Sequence, residues 1–92
     1  MNTIKDYFGH EIHEGDVVLY SNDGEFEEGV IILIKPLLVL DSFLLEEYKN
    51  GSKGWVECFC NSESKFADEL INLTALDISE RVDIGTINSV FY

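Results

Sequence analysis

The chain has 92 residues, enough for one hydrophobic core, and sets eighteen Asp and Glu against six Lys and Arg, a formal net charge of -12. Apolar residues make up 46% and aromatics 12% of it, which excludes the low-hydrophobicity composition of a disordered segment and predicts one acidic folded domain over residues 1–92. The longest apolar run, which starts at Val30, is broken by Lys35 and Pro36, and the opening residues hold no long apolar stretch, so no membrane span or leader is expected and the cytoplasm is the expected location.

In chain order, Asp16 to Tyr20 is β-branched and aromatic, and the following Ser21-Asn22-Asp23-Gly24 has the Asp-Gly chemistry of a hairpin turn. A second strand is expected over residues 25–35, with Gly29 marking a bulge or bend and Val30 to Ile34 apolar on both faces, as in a central strand. Pro36 cannot donate to a ladder, so residues 37–40 start a separate edge or adjacent strand. The turn cluster at residues 50–54 predicts a second hairpin between residues 43–49 and 55–59. Phe66, Leu70 and Leu73 recur at helical spacing, which predicts a short helix over residues 62–73, capped by Ser62 or Ser64. Residues 81–87 return to period two, with Ile84 and Val82 or Ile87 closing a barrel against the first strand. The expected fold is therefore mainly β: a small SH3-like, strongly bent antiparallel sheet or barrel of about five or six strands, with one short helix. Cys58 and Cys60, one residue apart, cannot staple such a fold, and a reducing compartment is the default.

The segment Gly9-His10-Glu11-Ile12-His13-Glu14-Gly15-Asp16-Val17-Val18 is more specific. Gly15 allows a positive-φ turn, and the Asp16 side chain is placed to satisfy turn amides just before the ladder begins. The segment resembles the YopX family of phage and prophage proteins, whose C-terminal domain carries a pattern of the form D-x-x-G-x-E-I-x-E-G-D-x-V. Asp6, Gly9, Glu11, Ile12, Glu14, Gly15, Asp16 and Val18 meet that pattern here, and the family's closing I-G-N-I block is similar to Ile84-Gly85-Thr86-Ile87, with Thr86 where Asn is usual. The resemblance brackets most of the chain and leaves the middle unmatched. It implies a small β-barrel of mobile-element origin, and it brings neither an established activity nor catalytic residues.

Enzyme chemistry finds little to stand on. His10, His13, Cys58 and Cys60 are the strongest metal candidates, but on a strand Cys-x-Cys sets both thiols on one face about 7 Å apart, and neither pair has the usual zinc-ligand spacing. Cysteines buried beside Val56 and histidines exposed in the leading loop are expected instead, with no metal and no cofactor. A Cys-His nucleophile needs an electropositive neighbourhood that Glu57 and the net charge deny. Gly51-x-x-Gly54 lacks the context of a phosphate loop. No catalytic residue is predicted.

Direct nucleic-acid binding needs cations against the phosphates, and the stretch from Asp6 to Ile34 holds Asp6, Glu11, Glu14, Asp16, Asp23, Glu25, Glu27 and Glu28 with no Lys or Arg. The expectation is the converse: an acidic binding protein of phage or mobile-element type that occupies or mimics the nucleic-acid site of a basic nucleic-acid-handling protein of the host or a rival element, such as a defence nuclease. Asp23, Glu25 and Glu27, about 6.6 Å apart along one strand face, and Glu28 are the predicted contact, with Phe26 as an apolar anchor. Two alternatives are an immunity protein against a basic toxin and a ligand-sequestering barrel whose pocket Tyr48, Trp55 and Phe59 would line. The apolar strands from Ile31 to Leu40 leave a homodimer open.

Overall fold

The computed structural model describes residues 4–83. Its centre is a hairpin of β1 (Val17–Asn22) and β2 (Glu25–Leu33), followed by β3 (Leu38–Asp41), α1 (Ser42–Lys49), α2 (Trp55–Cys60), the two-residue strand β4 (Glu63–Ser64), a 3-10 turn (Ala67–Glu69) and β5 (Ile71–Asn72). The five strands form one antiparallel sheet in the order β4-β3-β2-β1-β5. The mainly β architecture expected from the sequence is the one observed.

The sheet is strongly curled. Its two edge strands, β4 and β5, lie four strand spacings apart, about 19 Å across a flat sheet. The six residues joining them include a 3-10 turn, which advances only about 2 Å per residue, and they also bury Leu70 against the sheet. A flat sheet leaves no length for that detour. Lys65, directly after β4, reaches the Tyr20 ring (5.3 Å to its centroid) and the Ser21 carbonyl (3.4 Å) on β1. The ends approach without pairing, so among the described residues the sheet does not close into a barrel.

Alternation along the strands builds two cores. On one face Val18, Tyr20, Ile31 and Val39 pack with Ile12 of the leading segment, Leu37 and Leu70. On the other, Val30, Ile32 and Leu40 pack against Leu45 of α1 and Trp55 and Cys58 of α2. We call these the loop face and the helix face. Covering both faces is what makes β2 apolar on each side from Val30 to Ile32.

Three local expectations are corrected. Gly29 is no bulge: it pairs regularly with Val18 and Asp41, and the register shift lies between Ile31 and Leu33. A Cβ on Gly29 would meet Val39 Cγ1 at 2.6 Å and Tyr20 Cε1 at 2.7 Å, so the glycine makes room for the tyrosine ring.

The hairpin expected over residues 43–49 and 55–59 is a helix pair instead. Asp41 caps α1, accepting from the Phe43 amide at 2.6 Å, and Gly51 ends it at φ 84, its N–H bonded to the Tyr48 carbonyl. The cluster after Lys49 is thus a helix stop. In α2, Trp55, Cys58 and Phe59 share one side, and packing against α1 overrides the strand preference of this segment.

The helix expected over residues 62–73 is replaced by β4, the 3-10 turn and β5, because this segment has to cross from one sheet edge to the other. Phe66 consequently points to solvent while Leu70 is fully buried, so the helical spacing reflects no shared face. The expected closing strand is described only at its start, where the Val82 amide bonds the Gly15 carbonyl at 2.8 Å. Residues 84–87 lie outside the described residues. No helix among the described residues is long and apolar enough to cross a membrane.

Candidate functional site: the acidic hairpin

The β1–β2 hairpin turns through Asp23 and Gly24, both at positive φ (53 and 83), the geometry of a two-residue type I′ turn. β5 pairs with β1 only at Val18 and Leu19, and β3 meets β2 only from Gly29 onward. Residues 20–28 therefore project as a two-stranded ribbon with no neighbouring strand on either side.

All five predicted contact residues lie on this ribbon, but not on one face. Asp23 belongs to the turn, so the expected line of Asp23, Glu25 and Glu27 is corrected. Glu25 and Glu27 follow the loop face, and Phe26 and Glu28 the helix face. Glu25, Glu28 and Asp23 are exposed, and Phe26 stands 71% exposed among them. Glu27 is half-buried and held: the Tyr20 hydroxyl and the Asn22 amide both reach its Oε2 at 3.4 Å. Burial, then the carboxylates of Asp41, Glu27 and Glu63, hold the Tyr20 phenol well above its ordinary pKa, so it remains a donor at any physiological pH.

Four of the six Lys and Arg residues pair with other acids. Lys49 pairs with Glu46, Lys53 with Glu47 and Glu57, Lys65 with Glu63 and Arg81 with Asp16. Among the described residues, no ion pair reaches Asp23, Glu25, Glu27 or Glu28.

Two acids of the same stretch are not part of this surface. Asp6 accepts from the amides of Phe8 (2.9 Å), His10 (2.8 Å) and Asn72 (2.8 Å). Asp16 accepts from the His13 amide, the Asn72 side-chain amide and Arg81 Nε, each at 2.8 Å. Asn72 also donates to the Glu11 carbonyl at 2.9 Å. Asp6, Asp16 and Asn72 are buried, and together they tie the leading segment to β5 and to residues 81–82. Burial by itself raises the Asp6 pKa, but the donated backbone N–H groups, that of Asn72 foremost, hold it below the ordinary carboxylate value. The expected role of Asp16 in satisfying turn amides is observed. Asn72 and Arg81 were not singled out from sequence, since they lie 56 and 65 positions from Asp16 and no local pattern marks them.

Gly15 stands inside this clamp at φ 93, where a Cβ would run into the Val82 carbonyl oxygen. Residues of the D-x-x-G-x-E-I-x-E-G-D pattern thus act here as a structural fastening.

The remaining candidates separate. Cys58 and Cys60 sit on α2, where two helical positions are about 200° apart, so they do not share a face as they would on a strand. Cys58 is buried, its thiol donating to the Leu44 carbonyl at 3.5 Å, and Cys60 is exposed. Burial, then Glu57, push the Cys58 thiol up, which disfavours a nucleophilic thiolate. His10 and His13 lie with Asp6 and Asp16 in the leading segment, away from the helix-face core. Tyr48, Trp55 and Phe59 meet edge to face, with centroids 5.4 and 6.3 Å apart, and fill the space between the helices with one another. Compared with family models, curated proteins and solved structures, the chain matches none.

Proposed function

We propose that this protein is a non-enzymatic acidic binder of phage or mobile-element type. It inhibits a basic nucleic-acid-handling protein, such as a host defence nuclease, by covering the groove that would hold phosphates. The observation that carries this reading is the projecting ribbon, which bears Asp23, Glu25, Glu27 and Glu28 with exposed Phe26 and on which no ion pair among the described residues neutralises the acids.

Such a ribbon presents carboxylates without ion-pair partners at a protrusion a cationic groove can reach, and the net charge of -12 steers the encounter in a salt-dependent way. Phe26 supplies the desolvated apolar contact that charge by itself lacks. Glu27, which the Tyr20 hydroxyl and Asn22 amide reach at 3.4 Å, has less side-chain freedom to lose on binding than exposed Glu25 and Glu28.

The test is affinity capture from nuclease-treated host lysate with tagged protein, eluted by stepped salt, beside the triple variant Glu25→Lys, Glu27→Lys, Glu28→Lys. The expected result is a basic nucleic-acid enzyme released at moderate salt from the unaltered protein and absent from the folded variant. Equal capture by both proteins would remove the ribbon from the interaction.

A further inference from the structure

The backbone of the ribbon has an unused side. The Ile31 amide donates to the Asp16 carbonyl (2.9 Å), and the Ile31 carbonyl accepts from the Gly15 amide (2.7 Å), so Ile31 directs its main-chain groups toward the β1 side. Alternation then sends those of Glu25, Glu27 and Gly29 the same way, and those of Phe26, Glu28 and Val30 toward the β3 side. Val30 finds Leu40 there. Beyond that pair Gly29 still stands opposite Asp41, which sets the Glu28 carbonyl toward the Ser42 amide, and the chain then leaves the sheet to enter α1. No strand stands beside Phe26 on that side, so its N–H and C=O point outward, together with the Glu28 N–H.

We infer that this outer edge of β2 binds an extended, Lys- or Arg-bearing segment of the partner as an added strand, continuing the line of β3. The inference rests on the proposed binding of a basic protein and specifies how it docks. Four residues, Glu25 to Glu28, offer roughly 13 Å of edge, and the outward groups of Phe26 with the Glu28 N–H offer two donors and one acceptor. Charge selects the occupant. An incoming strand places alternate side chains beside Glu25 and Glu27 on the loop face and beside Phe26 and Glu28 on the helix face, so cations are matched on both. A second copy of this chain would set the same glutamates against one another, and like charges directly opposite destabilise a strand pair. Short strands β4 and β5 occupy the sheet's two outer edges, so the ribbon is where the longer stretch of free edge lies.

The experiment uses the full chain and a fluorescent peptide of alternating Lys and Val, compared with its fully N-methylated counterpart, which keeps the charge and loses the N–H donors. A peptide of alternating Glu and Val serves as the charge control. The unmethylated Lys peptide is expected to bind about tenfold more tightly than the methylated one, and the Phe26 and Glu28 amides to become protected from hydrogen exchange. Phe26→Pro, which removes an outward donor at an edge position together with the Phe26 ring, should narrow the difference between the two peptides, whereas Phe26→Ala, which removes only the ring, should leave that difference in place. Because the peptide comparison uses the unaltered chain, it does not depend on how the variant folds. Equal binding of both Lys peptides without amide protection overturns the added strand and leaves the electrostatic reading intact. If neither Lys peptide binds more tightly than the Glu peptide at low salt, the proposed function falls along with it.

Discussion

Asp16 and Glu28 belong to the same acid-rich stretch, yet Asp16 is closed off by three donors at 2.8 Å while Glu28 stands exposed on a ribbon with no cation beside it. The two positions differ in what surrounds the charge. A buried carboxylate is tolerable only where N–H groups and a guanidinium replace water, and the clamp around Asp6 and Asp16 supplies them. An exposed one costs nothing to solvate and contributes little to the fold, so its charge is available to a partner. Net charge counts both kinds alike, and only environment tells structural acids from recognition acids.

The sharpest way to break this comparison is Asp16→Ala. It leaves the Asn72 amide, the Arg81 guanidinium and the His13 N–H without their acceptor, and an expected loss of about 3–5 kcal/mol should appear in urea unfolding. A loss below about 1 kcal/mol would mean the clamp does not hold the leading segment.

Acid titration gives a smaller effect with a definite sign. The folded-state pKa of Asp6 is lowered, so its contribution is fully present above the unfolded value of about 4 and is lost as pH falls through the lower folded value. The urea midpoint of the native protein should therefore drop more steeply below pH about 4 than that of Asp6→Asn; parallel curves would show that Asp6 gains nothing from its amide donors.

At the recognition end, Glu28→Gln should change stability by no more than about 0.5 kcal/mol in either direction. Glu27→Gln, which alters the contact with Tyr20 and Asn22, should change it by up to about 1 kcal/mol. Matching thermal shifts for the two variants would erase the distinction drawn between a held and a free glutamate.

Much of the candidate site was legible because the ribbon is local. Asp23-Gly24 between alternating residues specifies its own turn, and the turn fixes the pairing of Asn22 with Glu25 and hence the face of every residue behind it. The clamp was only half legible. Gly15 and Asp16 announce a turn, but the partners Asn72 and Arg81 come from the far end of the chain. The helix pair is ambiguous in the sequence although its signals are present: Asp41 as cap and Asn50-Gly51 as stop compete with a hairpin reading of the same turn residues, and the aromatic, β-branched composition of residues 55–60 favours the strand.

By itself the sequence determined the charge, the mainly β character, the first hairpin and the place of the acids along it, because each depends on composition or on residues within one turn of one another. Tertiary structure decided the rest. Curling of the sheet forced residues 62–73 to cross its open side as short strands and a 3-10 turn. Packing on α1 made residues 55–60 a helix, and burial converted Asp6 and Asp16 from apparent surface charge into a fastening. These outcomes depend on which distant groups exclude water from a residue, and the spacing of neighbours along a chain does not carry that information.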